Sequence, residues 1–327
     1  MDRKDIVLTG KAGLRVGLFV LLGSLLFSCH RHPQKLEPKI NYVVQDRYLK
    51  QLTSPFPSLS QEERDQEWGK EYQIGLAFAR QLDLYQAVTA FRRGLILLPA
   101  DAPSRKLEMQ YEILLSYYFG KKYADLAYAF ETNDLRFVDS SFPAFHDLLV
   151  ILYDSYIQLH EEAKAAKVLQ MMQQNDPSTQ EKLAISTTLM QGNIPLVKKI
   201  SEEYPAAGYL KEFLNTYNTR KKSSTAAQLL NASLPGAGYL YLGQNQSATT
   251  AFLLNGLFIA ASYHFFHRGH IAAGIIFTSF ELGWYFGGIY GAAEEAKLYN
   301  ERVYEKEATP LMNERGLFPI LTLKYAF

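Results

Sequence analysis

The chain contains one cysteine, Cys29, and it directly follows an unbroken apolar run, VGLFVLLGSLLFS at 16–28. A lone thiol forms no intramolecular disulfide and no multi-cysteine metal site, but it can carry an acyl chain. The other residues of chemical interest lie in the last third of the chain. Asn255, His264 and Glu281 fall within two apolar stretches, where polar and ionisable groups are costly. His264, His267 and His270 recur at every third position, a spacing that would place three imidazoles on one helix face for a metal ion. Gly269 breaks that face and no carboxylate is near in sequence, so no metal site is expected. His30 and His32 read as solvated side chains of a linker. There is no Gly-rich phosphate cradle, no GxSxG and no HExxH. No catalytic or cofactor-binding residue is therefore assigned, and the expectation is a protein that is not an enzyme.

The elements that position these residues begin with the N-terminus. Arg3, Lys4, Lys11 and Arg15 precede the apolar run, which at 13 residues is too short to span a bilayer and has the length of a signal-peptide core. Leu26-Phe27-Ser28-Cys29 resembles the cleavage box of bacterial lipoproteins, with Leu three positions before the Cys and a small residue just before it. The resemblance implies removal of residues 1–28, lipid on Cys29, and a lipid-anchored place in a bacterial cell envelope. Residues 29–60 are rich in Pro and Ser and read as an extended linker with one short element at 41–51.

Residues 61–217 carry an internal repeat. Gly75, Phe78, Ala87, Phe91 and Gly94 are separated by 3, 9, 4 and 3 positions. Leu114, Tyr117, Leu126, Phe130 and Asn133 repeat those gaps, as do Tyr153, Tyr156, Ala165, Leu169 and Met172, each unit 39 residues after the last. The pattern resembles the tetratricopeptide repeat, in which small residues let two helices approach and aromatics fill the seam. The period is longer than that family's, and the extra residues fit between units. A fourth helix-turn-helix at 181–205 loses the register. The resemblance implies a helical solenoid whose concave face takes a protein or peptide partner.

Near residue 225 the composition changes. Pro235, Gly236, Gly238, Tyr241 and Gly243 form Pro-Gly-x-Gly-x-x-Tyr-x-Gly, which resembles the opening of small bacterial domains with two transmembrane helices. The stretches 247–266 and 271–293 are each long enough to cross a hydrocarbon core. With the turn centred near Arg268, Asn255 and Glu281 lie at equal depth and are expected to clasp. This domain covers 230–300. Residues 301–327 should form a charged helix ended by Pro310 and a short strand at 321–327, where apolar and polar residues alternate.

Lys and Arg total 34 against 33 Asp and Glu, so nucleic acid is not an expected partner. The expected architecture is mostly α: a tetratricopeptide-like solenoid followed by an apolar helical hairpin. The expected function is a membrane-anchored envelope scaffold that binds protein. The alternative is a membrane enzyme or transport component using Glu281 and His264.

Overall fold

Short polar side chains start many of the helices. Ser60 and Glu63 form a capping box, and Asp83, Asp176, Asn193 and Ser223 each accept the N–H three residues on. The computed structural model describes residues 36–40, 46–49, 51–204 and 207–327. Cys29, His30, His32 and the signal-like segment lie outside these residues.

The helices are α1 (Asp46–Leu49), α2 (Gln61–Asp65), α3 (Glu67–Arg80), α4 (Leu84–Leu97), α5 (Pro103–Phe119), α6 (Tyr123–Thr132), α7 (Phe145–Gln158), α8 (Glu162–Asn175), α9 (Pro177–Met190) and α10 (Ile194–Glu203). There follow α11 (Tyr209–Arg220), α12 (Ser224–Ser233), α13 (Ala237–Tyr241), α14 (Asn245–His267) and α15 (Ile271–Glu314). Short 3-10 turns occupy Asp134–Phe137 and Pro319–Thr322. No strand occurs among the described residues, and the protein is mostly α-helical. Leu36–Phe327 is one compact unit.

Helices α3/α4, α5/α6, α7/α8 and α9/α10 are successive helical hairpins with closely similar turns. Leu82, Lys121 and His160 all adopt positive φ, at 62°, 54° and 59°, and they stand 39 residues apart. Around each, two backbone bonds close the preceding helix, as in Asp83 N–H to Phe78 C=O and Leu82 N–H to Ala79 C=O. Gly192, at φ 62°, takes the same place in the fourth hairpin, where glycine pays no steric penalty. Tyrosines join each first helix to the next. Tyr72 donates to Glu108, Tyr118 to Asp154 at 2.7 Å, and the Tyr153 and Thr187 hydroxyls are hydrogen-bonded at 2.8 Å.

Three expectations are corrected. The linker expected over 29–60 is not a free tether from residue 36 on. Leu36, Ile40, Leu49 and Leu59 are buried, and Phe56 packs on Tyr111 and Phe142. Pro310 does not end its helix: α15 continues to Glu314. The carbonyl that Pro310 leaves without a donor belongs to Lys306, and both residues are exposed, so water can serve it. Residues 321–327 form no strand. The N–H groups of Lys324 and Tyr325 go to the Asp147 carboxylate and that of Ala326 to Thr53 C=O, which replaces a ladder.

Candidate functional site

Two regions stand out: the inner face of the first hairpin helices and the apolar hairpin α14/α15.

On the inner face, α5 is buried continuously from Glu108 to Ser116 and α7 from Asp147 to Tyr156. One side of each packs on its neighbouring helices. The other is covered by residues 52–59 and by the tail 317–327, whose 3-10 turn lies on α7 and α9. The tail is held by named contacts. Asp147 accepts Lys324 N–H at 3.0 Å and Tyr325 N–H at 2.8 Å, while Lys324 Nζ reaches Asp176 at 3.3 Å. Tyr48 donates to Leu321 C=O, Arg80 Nε donates to Phe327 C=O at 3.4 Å, and the Phe327 ring meets Phe119 edge-on.

The covered face is acidic. Arg105 clamps Glu63 at 2.8 and 3.0 Å and Glu108 at 2.6 Å, and also bonds the carbonyls of Pro57 and Ser58, so it pins the covering segment to α5. The Arg105 hydrogen bond holds the Glu63 carboxyl down at about 2. Burial pushes Glu108 up, against hydrogen bonds from Tyr72 and Arg105. Burial likewise raises Asp154, opposed by Tyr118 and Gln158. At Asp176 burial is outweighed by hydrogen bonds from Ser178, Thr179 and Lys324, and its value falls. Glu112 is fully buried and neither of its oxygens has a hydrogen-bond partner. Burial and the neighbouring Glu108 charge raise it well above the ordinary carboxyl value, with Arg80 opposing. Tyr111 Oη and Ser155 Oγ are buried without partners as well.

The residues singled out by repeat spacing lie within the hairpins. Ala87 and Phe91 are fully buried, Tyr156 and Ala165 nearly so, and Phe78 is half-buried against the core. Gly75 is buried against the Phe91 ring. Leu126, in the place of Ala87 and Ala165, is fully buried too.

The glycine-rich motif forms a tight joint. Gly236 has φ 93°, its N–H goes to Asn231 Oδ1 at 2.9 Å, and a Cβ there would lie 2.3 Å from Ala248 O. Gly238 is pressed among Ala227, Asn231 and Ala292, where α12, α13 and α15 meet. Gly243 turns the chain into α14 at φ 79°. Pro235 precedes the turn, and Tyr241 accepts Ser223 N–H while Lys222 lies over its ring.

Beyond the joint, α14 is the one helix among the described residues long and apolar enough to cross a membrane, and only 6% of its most apolar stretch is buried. Phe252, Leu253, Leu257 and Ile259 on α14, and Ile271, Ile275, Ile276 and Phe280 on α15, are exposed. The expected clasp of Asn255 and Glu281 does not form. Asn255 Nδ2 bonds Ala251 C=O of its own helix, and Asn255 Oδ1 and Glu281 Oε2 are both buried without hydrogen bonds. His264 and His270 make ring contacts with Phe265, and His267 with Tyr263. No group of three or more His, Cys, Asp or Glu among the described residues is placed to hold a metal ion.

Sequence reasoning missed the acidic inner face, because its parts are far apart in the chain. The only signal was an excess of polar residues, Glu108, Gln110, Glu112 and Ser116, on a helix otherwise of core composition. No family model matches the chain, and comparisons with curated proteins and with solved structures find no match.

Proposed function

We propose that the chain is a membrane-anchored scaffold of the bacterial cell envelope, with a tetratricopeptide-like solenoid on a two-helix membrane domain and a lipid on Cys29. The observation that carries this reading is the exposure of α14. A core helix of such composition would be buried, whereas here a continuous apolar surface over α14 and the first half of α15 has no protein cover. Lipid is the solvent that suits it.

The repeated positive-φ turns and the tyrosine bonds between successive hairpins support the solenoid reading. A lipidated Cys29 is compatible with the hairpin by chain length. Glu37 N–H is bonded to Glu301 of α15, and eight residues span at most about 28 Å. The array then serves to bind a protein partner beside the membrane.

Flotation with phospholipid vesicles tests the anchor. With Cys29→Ser in both proteins, so that no lipid anchors either, the otherwise unchanged chain should rise with the vesicles and resist extraction at high pH, and a variant that adds Leu253→Lys, Leu257→Lys and Ile275→Lys should lose that resistance. Equal extraction of both would overturn the membrane reading.

A further inference from the structure

The two ends of the apolar hairpin differ in charge. Above the glycine joint, acids and bases are mixed and paired: Lys297 with Glu301, and Arg302 with Glu295. The tip, where α14 turns into α15, carries His264, His267, Arg268 and His270, and no acidic residue occurs from 213 to 280. All four side chains are exposed. The imidazoles have ring contacts with Tyr263 and Phe265, and none of the four side chains makes a hydrogen bond or ion pair with a described residue. An exposed cluster of one sign with no counter-charge points to an anion outside the chain. Height fixes which anion. Gly291 lies at the joint, against Tyr239, and α15 rises about 30 Å from Ile271 to Gly291, the thickness of a hydrocarbon core. A hairpin that spans with its joint at one interface therefore places its tip at the other. The lipid on Cys29 belongs to the joint's side. Glu37 is bonded to Glu301, about 45 Å up α15 from Ile271, and the eight residues from Cys29 reach at most about 28 Å.

We propose that the hairpin tip binds the phosphate groups of anionic phospholipids in the leaflet opposite the Cys29 lipid. Arg268 supplies a fixed charge and a fork of donors. Each histidine supplies a ring N–H and, once protonated, a further charge. Tyr263, Phe266 and Ile271 beside the cluster are exposed, so apolar and aromatic side chains anchor it at the border between hydrocarbon and headgroups. The inference rests on the membrane reading and names the lipid that the far end of the hairpin selects.

The test is lipid retention. The full chain with Cys29→Ser, held by its hairpin alone, is assembled into nanodiscs of equal phosphatidylglycerol and phosphatidylcholine at about pH 6, where histidine carries much of its charge. It is then moved into mild detergent, and its bound lipids are counted by native mass spectrometry. Phosphatidylglycerol should exceed phosphatidylcholine about fivefold, as one basic side chain at an anionic surface would give. The excess should vanish when His264→Gln, His267→Gln, Arg268→Gln and His270→Gln are combined, a change confined to exposed side chains. It should persist in Lys221→Gln with Lys222→Gln, at the other end of the hairpin. An excess that survives the tip variant, or that the lysine pair removes, overturns the proposal. So does its loss to soluble glycerol phosphate, which would mark a site for free phosphate. A chain that enters the nanodiscs and retains both lipids equally fails this inference alone, whereas one that never enters them fails the membrane reading and this inference with it.

Discussion

Gly75 on α3 and Phe91 on α4 lie so close that a Cβ on Gly75 would stand 2.5 Å from ring atoms Cδ1 and Cε1 of Phe91. Phe91 is fully buried and packs on Tyr72, so the ring has nowhere to move. Gly75→Val should therefore cost about 1–3 kcal/mol through overpacking. Chemical denaturation should show a lower midpoint, partly recovered when Phe91→Leu is added. An unchanged midpoint would mean that the two helices are not in this register.

Spacing marked both residues as packing positions, but it assigned the aromatics to the seam with the next repeat, whereas the Phe91 ring lies on Gly75 and Tyr72 of its own hairpin, across one short turn. The tail was not legible from spacing. Leu321 to Phe327 alternate like a strand, yet their N–H groups find a carboxylate on Asp147, 177 and 178 positions away. Periodicity reports which face is apolar and carries no information about so distant an acceptor. The depth match of Asn255 and Glu281 was sound arithmetic, but the Asn255 amide has a carbonyl four residues back on its own helix. Such a local bond wins over one between helices.

Glu112 sets a pH dependence. Its folded value is raised, so between the ordinary carboxyl value of 4.5 and that raised value the folded chain holds a proton that the unfolded chain has released. Stability then falls as pH rises through this window. Glu112→Gln should raise the melting temperature at pH 8 and change it little at pH 4. Equal effects at both would show that the side chain does not titrate with folding.

Arg105 should be the costliest single truncation on the covered face. Its removal leaves Glu108 buried without its cation and frees the carbonyls of Pro57 and Ser58. Arg105→Ala should destabilise by about 3–5 kcal/mol, and Glu108→Gln should recover part of the loss in the double variant. Failure of the second change to help would locate the loss in the covering segment alone.

The glycine joint has its own signature. Gly236→Ala would force a side chain onto a φ of 93° and against Ala248 O. A loss of more than about 1 kcal/mol is expected, whereas Gly243→Ala, with nothing within 4 Å, should suffer only its backbone strain at φ 79°. Parallel thermal melts in detergent would compare them, and an equal response would deny the contact at Gly236.

Lipid and hairpin should be separable anchors. Mass spectrometry of the purified chain should show loss of residues 1–28 and an acyl mass, both absent in Cys29→Ser. That variant should still sediment with membranes, because α14 and α15 remain. Its release into the supernatant would show that the lipid alone holds the protein.

The continuity of α15 makes it a mast. Its 44 residues rise about 66 Å, from the exposed Ile271 to Met312, which is buried among the array helices. Asn300 bonds Lys222 through both its amide N–H and its carbonyl oxygen, Tyr304 reaches Leu189 C=O, and Arg220 pairs with Glu307. On the proposed membrane reading, with no loop to absorb rotation, the footing of the helix in lipid would dictate the bearing of everything rigged to its upper half. A bilayer that thins or thickens retilts a spanning helix, and 10° of tilt would swing a point about 30 Å up the mast by about 5 Å. The protein would then translate membrane thickness into the attitude of its acidic face.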